Sequence, residues 1–374
     1  MACVEHSIKQ YALELGFDLV GIASAETFAE EADALQRLRE GLMDGLPWYT
    51  EARVRRGCHP ESLLQGARSI ISVGMSCNVA PDEAPPDSGL RGRVARYARG
   101  DDYHRVMKRR LRTLVEGLSA RLGRPIRAYI HVDDGPMLDR AAAVRAGLGW
   151  YGKNSCLLTP SHGSWVLLGQ VVTDLELEPD TPSKKSCGQC VRCIQACPTG
   201  AIVAPGVIDN ARCISYLTIE NRGPMPRNLR PLVGDWAFGC DICQEVCPVN
   251  RRAASATEPA FQRRGLSTLE LTSLLSMTDA EFQRRFRGSA IKRAKLAGLV
   301  RNACVALGNL GDPAAVPALA RALFDAEPLV RGHAAWALGR IGGLQAAQAL
   351  SQAQASEQDA GVGEELRAAM EEFR

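Results

Sequence analysis

The apolar positions of this chain change period several times, and each change marks a different kind of structure. "YALELGFDLVGIA", residues 11–23, reads as helix then strand, and "GARSIISVGMS", residues 66–76, as a further buried strand. In "RVMKRRLRTLVEGLSARL" the apolar residues Val106, Leu111, Leu114, Leu118 and Leu122 recur at helical spacing. "SWVLLGQVVTDLEL", residues 164–177, is rich in Val and Leu and predicts a strand. Between these runs, "VAPDEAPPDSG", residues 79–89, has the proline, acid and glycine content of a loop. Residues 1–175 are therefore expected to form a mixed region of α+β class.

Beyond residue 277 the pattern turns helical and repeats. "LVRNACVALGNLGDPAAVPALARALFD" from Leu299 is echoed by "LVRGHAAWALGRIGGLQAAQALSQA" from Leu329. Each unit holds an Ala-rich amphipathic helix, a glycine break and a second helix, which predicts HEAT-like repeats over residues 277–374. Two visible units are few for an independent solenoid, so they are expected to pack on the preceding part of the chain.

Composition adds constraints. The 374 residues are 46% hydrophobic and 23% charged, an ordinary globular balance with length for two or three domains. A formal charge of +3 is too mild to imply nucleic acid by itself. Locally the balance differs: from Phe282 to Leu310 there is no acid, while Arg284, Arg285, Arg287, Lys292, Arg293, Lys295 and Arg301 are all basic. On a solenoid scaffold such a run predicts a phosphate-binding surface, although a solvated helix face has the same signature. "RGRVARYARGDDYHRVMKRR", residues 91–110, adds a second basic stretch. No run approaches the roughly 18 to 20 apolar residues of a membrane span, and the start has neither a signal-peptide pattern nor a twin-arginine pair. A cytoplasmic monomer is the expectation.

Thirteen cysteines in a reducing compartment favour metal over disulfides. Cys187, Cys190, Cys193 and Cys197-Pro198 reproduce CxxCxxCxxxCP, whose first three thiolates hold one [4Fe-4S] cluster while the fourth serves another. The missing ligands follow at Cys213, Cys240, Cys243 and Cys247-Pro248. Cys187, Cys190, Cys193 and Cys247 make one four-thiolate set; Cys197, Cys213, Cys240 and Cys243 make the other. Residues 176–255 are thus expected to be a two-cluster, ferredoxin-like module; paired structural zinc sites are the alternative. Cys3, Cys58, Cys77, Cys156 and Cys304 lack such spacing and read as buried free thiols.

"HVDDGPMLDRAAAVRAGLGWYGKNSCLLTP", residues 131–160, places Asp133 and Asp134 at a strand end above Gly135-Pro136. A carboxyl there suits a general acid, while an aspartate before a helix also suits an N-cap. The cap is the reading for Asp134; Asp133 admits both. Lys153 and Asn154 in "YGKN" suit either orientation of a ligand or capping of a turn.

Taken together, "FDLVGIA", "RYARGDDYH", "HVDDGPMLDRAAAVRAGLGWYGKN", "GSWVLLGQVVTDLEL", the cysteine set, "CISYLTIENRG" and "RNACVALGNLGD" resemble the epoxyqueuosine reductase family over nearly the whole chain. The resemblance implies an α/β-type cobalamin-binding domain, similar to that of reductive dehalogenases, ahead of the clusters and repeats. It implies reduction of epoxyqueuosine to queuosine at the wobble position of tRNAs with GUN anticodons, electrons arriving from an unidentified low-potential donor. It places the proton donor on Asp133, and the cobalamin contacts on Arg56, Asp133, Lys153, Asn154, Thr159, Ser215 and Tyr216. Arg56 substitutes for an arginine that the family often carries where this chain has Gly57, and Asp134 stands where Thr or Ser is usual. A second carboxylate so near predicts a raised pKa for one of the pair. The DxHxxG signature is absent, Met107 standing at its glycine, so no lower histidine ligand is expected. A small-molecule reductive dehalogenase and an electron carrier whose repeats dock a partner are the rival readings.

Overall fold

The computed structural model describes residues 4–80, 89–262 and 264–372. Cys3 and most of the 79–89 loop lie outside the described residues. The chain forms two compact units that interleave in sequence: Met1–Ala80, Gly100–Ala211 and Ile242–Arg264 make the first, and Pro81–Arg99, Arg212–Asp241 and Gly265–Arg374 the second. The three consecutive blocks expected from the sequence, 1–175, 176–255 and 277–374, do not follow these boundaries. The reason is strand pairing: Arg91–Val94 pairs with Trp236–Phe238 and Thr268–Glu270, drawing three distant segments into one sheet.

The first unit is built on a four-stranded sheet ordered Leu19–Ser24, Ser69–Ser76, Val166–Thr173, Ala128–His131. All its neighbours run antiparallel. The α+β expectation describes this sheet; the parallel arrangement of an α/β type does not form. Ser69–Ser76 is buried at all eight positions, its three serines included, as a central strand paired on both edges should be.

Register decides what faces the Asp139–Arg145 helix. One cross-strand row is Ala23, Ile70, Val172 and Tyr129, packed with Ala141, Ala142 and Ala143 of that helix. The row beside it is Gly21, Ser72, Gln170 and His131. A Cβ at Gly21 would lie 2.1 Å from the Ala146 carbonyl oxygen, so the helix end settles on the sheet only because that residue is glycine.

The Tyr103–Leu122 helix buries Val106, Leu111, Leu114 and Leu118, the periodic positions of its sequence. Asp102 caps its start by accepting from the His104 amide, and Gly123, at φ +64, ends it in the left-handed region.

In the second unit the helices Lys295–Leu310, Val316–Ala322, Pro328–Ile341, Leu344–Ser356 and Ala360–Glu371 form the HEAT-like stack. Close approach rests on small residues: a Cβ at Gly308 would stand 2.9 Å from the Ala337 Cα, and one at Gly339 3.0 Å from Ala369. Asn302 donates to the carbonyls of Thr218 and Ala237, and Asn309 to those of Arg230 and Gly234. The polar letters of "RNACVALGNLGD" thus bind the stack to the 212–241 segment. Among the described residues no helix is long and apolar enough to cross a membrane.

Candidate active site

Where the Ala128–His131 strand ends, the chain passes through buried Val132 and turns outward. Asp133 adopts φ +49, a left-handed conformation that a non-glycine residue holds at some cost. Its carboxyl is exposed on the turn, yet one oxygen is fixed: Tyr103 Oη donates to Asp133 Oδ2 at 2.6 Å. Tyr103 is itself only 6% exposed and stacks on His104. Arg53 donates to the Gly135 carbonyl, and Lys108 pairs with Asp134. Neighbouring elements therefore hold the loop on several sides while the donor candidate faces outward.

The structure corrects the expectation for Asp134. The N-cap of the Asp139–Arg145 helix is Leu138, which makes no side-chain cap bond. Asp134 lies too early in the turn to reach that helix, and its carboxylate turns to Lys108. Burial pushes the Asp134 carboxyl up, but the hydrogen bond and charge of Lys108 outweigh this and leave it below the usual carboxylate range. Its charge is thus offset by an ammonium, which removes the basis for a carboxyl raised by like-charge repulsion.

Arg56 is exposed in the last turn of the Glu51–Cys58 helix, with its charge acting on Tyr129. Gly57 is held to glycine because a Cβ there would meet the Pro136 carbonyl oxygen at 1.9 Å. An arginine at that position has no room in this chain.

Lys153 and Asn154 join the cysteine segments. Lys153 Nζ donates to the Gly188 carbonyl at 2.8 Å, and buried Asn154 contacts the Cys243 carbonyl at 3.5 Å. Thr159 is buried and closes a turn onto Gly163. Their bonds therefore support backbone in the first unit. Ser215 and Tyr216 are half-buried in the Ile214–Ile219 helix of the second unit.

Cys187, Cys190, Cys193 and Cys247 all belong to the first unit and are all half-buried. Burial pushes the Cys193 and Cys247 thiols up, and neighbouring thiols add to it: Cys187 and Cys247 on Cys193, Cys187 and Cys190 on Cys247. These four sulfurs thus share one neighbourhood, and four thiolates are the donor set of a [4Fe-4S] cluster. Gly188 at φ +50 turns the chain between the first two. Cys197 and Cys243 also lie in the first unit, Cys213 and Cys240 in the second. Cys58, Cys77 and Cys304 are buried and Cys156 half-buried.

Of the basic run, Arg284, Arg285, Arg287 and Lys295 are exposed and Lys292 is half-buried. Arg293 is exposed and pairs with Glu220 at 2.7 Å. Arg301 is corrected outright. It is 0% exposed, and its guanidinium donates to the carbonyls of Leu217, Asn221 and Gly223 and to Asn302 Oδ1. Helical periodicity turns it inward, so it fastens backbone and reaches no external phosphate.

Tyr103, Lys108 and Arg53 contact the Asp133 loop and were not expected there from the sequence. "GDDYH" marks a helix start, but nothing local says that its tyrosine meets an aspartate thirty residues later.

A held carboxyl in one unit, together with thiols spaced for iron–sulfur clusters, defines an iron–sulfur oxidoreductase. Family models agree: residues 186–250 match a 4Fe-4S double cluster binding domain, residues 57–134 match "Epoxyqueuosine reductase QueG, DUF1730", and residues 297–371 match HEAT repeats. The chain is 42% identical over 340 residues to the epoxyqueuosine reductase of Xanthomonas campestris pv. campestris, covering 90% of this chain and 95% of that one. The Pseudomonas aeruginosa epoxyqueuosine reductase is 40% identical over 352 residues, 91% of this chain and 95% of its own. A crystal structure of epoxyqueuosine reductase with a tRNA-Tyr epoxyqueuosine-modified stem loop superposes with a TM-score of 0.93 at 32% identity, covering 99% and 98% of the two chains. The Bacillus subtilis enzyme, in a structure with its catalytic loop swung out of the active site, superposes at 0.92 with 31% identity and 99% coverage of each. The chain belongs to the epoxyqueuosine reductase family and is an oxidoreductase.

Proposed function

We propose that this chain reduces epoxyqueuosine to queuosine at the wobble position of a tRNA anticodon, with Asp133 as the proton donor. The observation that carries the reading is the Asp133 loop: a strained backbone and a Tyr103 hydrogen bond hold a carboxyl whose other face is open to solvent. The match to the family model covers this residue, and a relative has been crystallised with an epoxyqueuosine-modified stem loop.

The chain's own residues divide the work. Asp133 protonates the oxygen released from the epoxide, while Tyr103 fixes the direction of its carboxyl. Cys187, Cys190, Cys193 and Cys247 would hold one [4Fe-4S] cluster and Cys197, Cys213, Cys240 and Cys243 the second, a cofactor pair that would supply single electrons taken from a low-potential donor. An exposed carboxyl and the exposed Arg56 beside Tyr129 fit a large polar cofactor better than a closed pocket would. When bound there, cobalamin supplies the strongly reducing cobalt that the epoxide requires. Ser215 and Tyr216 are further contacts by resemblance; the bonds of Lys153, Asn154 and Thr159 favour support of the surrounding backbone. Arg284, Arg285, Arg287, Lys292, Arg293 and Lys295 hold tRNA phosphates without reading sequence. The modified base leaves its stack to reach the carboxyl.

The test is anaerobic reconstitution with iron, sulfide and cobalamin, then turnover of epoxyqueuosine-containing tRNA under a low-potential reductant, for wild type and Asp133→Ala. Queuosine from wild type alone, with both clusters intact in the variant, is the expected result. No queuosine from fully loaded wild type overturns the reading.

A further inference from the structure

Directly beneath the Asp133 loop lies a buried polar cluster that the reaction as described does not use. Ser72, Gln170 and His131 are cross-strand neighbours, each 0% exposed, in the row next to apolar Ile70 and Val172. The Asp139–Arg145 helix closes over them and brings Asp139, whose Oδ2 lies 2.9 Å from His131 Nε2. Gln170 Nε2 donates to the Asp139 carbonyl at 3.3 Å. Four side-chain atoms of this cluster, Ser72 Oγ, Gln170 Oε1, His131 Nδ1 and Asp139 Oδ1, are buried without a hydrogen-bond partner. Buried polar groups are costly unless paired, so three in one row and a fourth on the helix above them point to a role other than packing.

The cluster touches the catalytic loop through His131. A Cβ at Gly135 would stand 2.7 Å from His131 Nδ1 and 2.8 Å from Tyr129 Oη, so the loop backbone lies against the unpartnered edge of the imidazole. Asp133 is only two residues beyond His131. We propose that the His131–Asp139 pair is a positioning device for Asp133, seating its loop and supplying a charge that answers the charge on its carboxyl. The inference rests on Asp133 as the proton donor.

The charged and titratable groups facing His131 are Asp139 from the helix and Asp133 and Asp134 from the loop, with Tyr129 stacked on the same strand. Arg140 also acts on Asp139, Lys108 on Asp134, and Arg53 and Arg56 on Tyr129. Burial pushes the imidazole down, but the Asp139 hydrogen bond and the surrounding carboxylates hold it above its ordinary range. Burial pushes the Asp139 carboxyl up, against the opposing pull of His131. The two groups thus face each other across one hydrogen bond whose proton either can carry. When Asp133 gives its proton to substrate, the new negative charge favours the imidazolium form, and the imidazolium in turn steadies the carboxylate. No proton need leave the pair.

Two measurements test this on cluster-loaded protein. Histidine ring 15N resonances, recorded without cobalamin and assigned with His131→Gln, give the midpoint of His131. Asp133→Asn is expected to lower that midpoint over the pH range in which wild-type Asp133 is ionised, because its carboxylate favours imidazolium there and asparagine does not; a midpoint that matches wild type even in that range overturns the proposal. In the fully reconstituted enzyme, His131→Gln and Asp139→Asn are expected to lower kcat about tenfold, leave KM for tRNA unchanged and alter the shape of the pH–rate profile. Profiles that superimpose on wild type after scaling overturn it, since a merely structural role lowers every point alike. Asp139→Asn keeps the reading decisive if His131→Gln fails to fold. If wild type turns over no epoxyqueuosine, the proposed function fails by itself, and the coupling between Asp133 and His131 is still read from the resonances.

Discussion

Tyr103 Oη donates to Asp133 Oδ2 at 2.6 Å, joining the first turn of one helix to the turn that ends a strand thirty residues later. The bond leaves the carboxyl's second oxygen free. Tyr103→Phe keeps the buried ring and its stacking on His104 but removes the only part that touches the carboxyl. Loss of a hydrogen bond to a charged group is worth roughly 1.5 kcal/mol, so kcat should fall about tenfold with little change in Tm. Unchanged turnover of epoxyqueuosine by the phenylalanine variant would contradict a positioning role.

Asp134 is the residue that most invites a wrong mechanism. Its charge is met by Lys108, so Asp134→Thr should leave the alkaline limb of the pH–rate profile, where Asp133 loses its proton, where wild type has it. A limb displaced toward lower pH would restore the like-charge argument. Lys108→Met is the complementary test: with Asp134 uncompensated, repulsion should raise the pH at which Asp133 ionises.

The basic run splits into two classes with opposite readouts. Arg301→Met strands the carbonyls of Leu217, Asn221 and Gly223, and should cost roughly 3 kcal/mol of stability. Reversing Arg284, Arg285 and Arg287, all exposed, should lower Tm far less than Arg301→Met and weaken tRNA binding. It should also flatten the slope of log affinity against log salt by about two. Equal effects of both sets on binding by folded protein would refute this division.

These contrasts show where sequence was informative. Apolar period located the Ser69–Ser76 and Val166–Thr173 strands and the repeat helices, because burial on a face is a local property of spacing. Cysteine spacing likewise reports ligand chemistry without tertiary knowledge. Arg301 shows the limit: a basic letter in a basic run has one sequence signature whether it faces solvent or three carbonyls. The Tyr103–Asp133 bond and the His131–Asp139 pair were illegible for a related reason, since each depends on elements meeting through the packing of the unit.

Acid should loosen the second unit in two stages. His333 is buried, accepts from the Met225 amide through Nε2 and faces the Leu329 carbonyl through Nδ1; burial pulls its pKa down to about 3. The folded form thus keeps the neutral ring while the unfolded chain takes a proton. The stability it contributes is full above about pH 6.5 and is lost as pH falls toward 3, a matter of a few kcal/mol. Glu365 follows: burial opposes ionisation, but the Arg230 and Arg227 bonds hold its carboxyl at about 2. Its contribution is present above the ordinary carboxylate value and fades as pH drops through that range. Tm measured from pH 7 to 3 should therefore decline from below pH 6.5, and Glu365→Gln should remove only the more acidic part. A flat Tm between pH 6.5 and 4.5 would rule out neutral, buried His333 as a source of the decline.

Removing single thiols separates ligands from bystanders. Cys247 shares its neighbourhood with Cys187 and Cys190, so Cys247→Ala should cost one cluster and drop iron from about eight to about four per chain. Cys58 is buried in the apolar core of the first unit, and burial pushes its thiol up to about 11, far from the thiolate that iron requires. Cys58→Ala should keep about eight irons and lose only packing energy. Asp133→Asn should also keep them, because the carboxyl acts on substrate and the thiols on electrons. Full iron in Cys247→Ala would break the proposed ligand set, whereas loss of iron in Asp133→Asn would mean that the loop supports the clusters and that its effect on turnover cannot be assigned to proton donation.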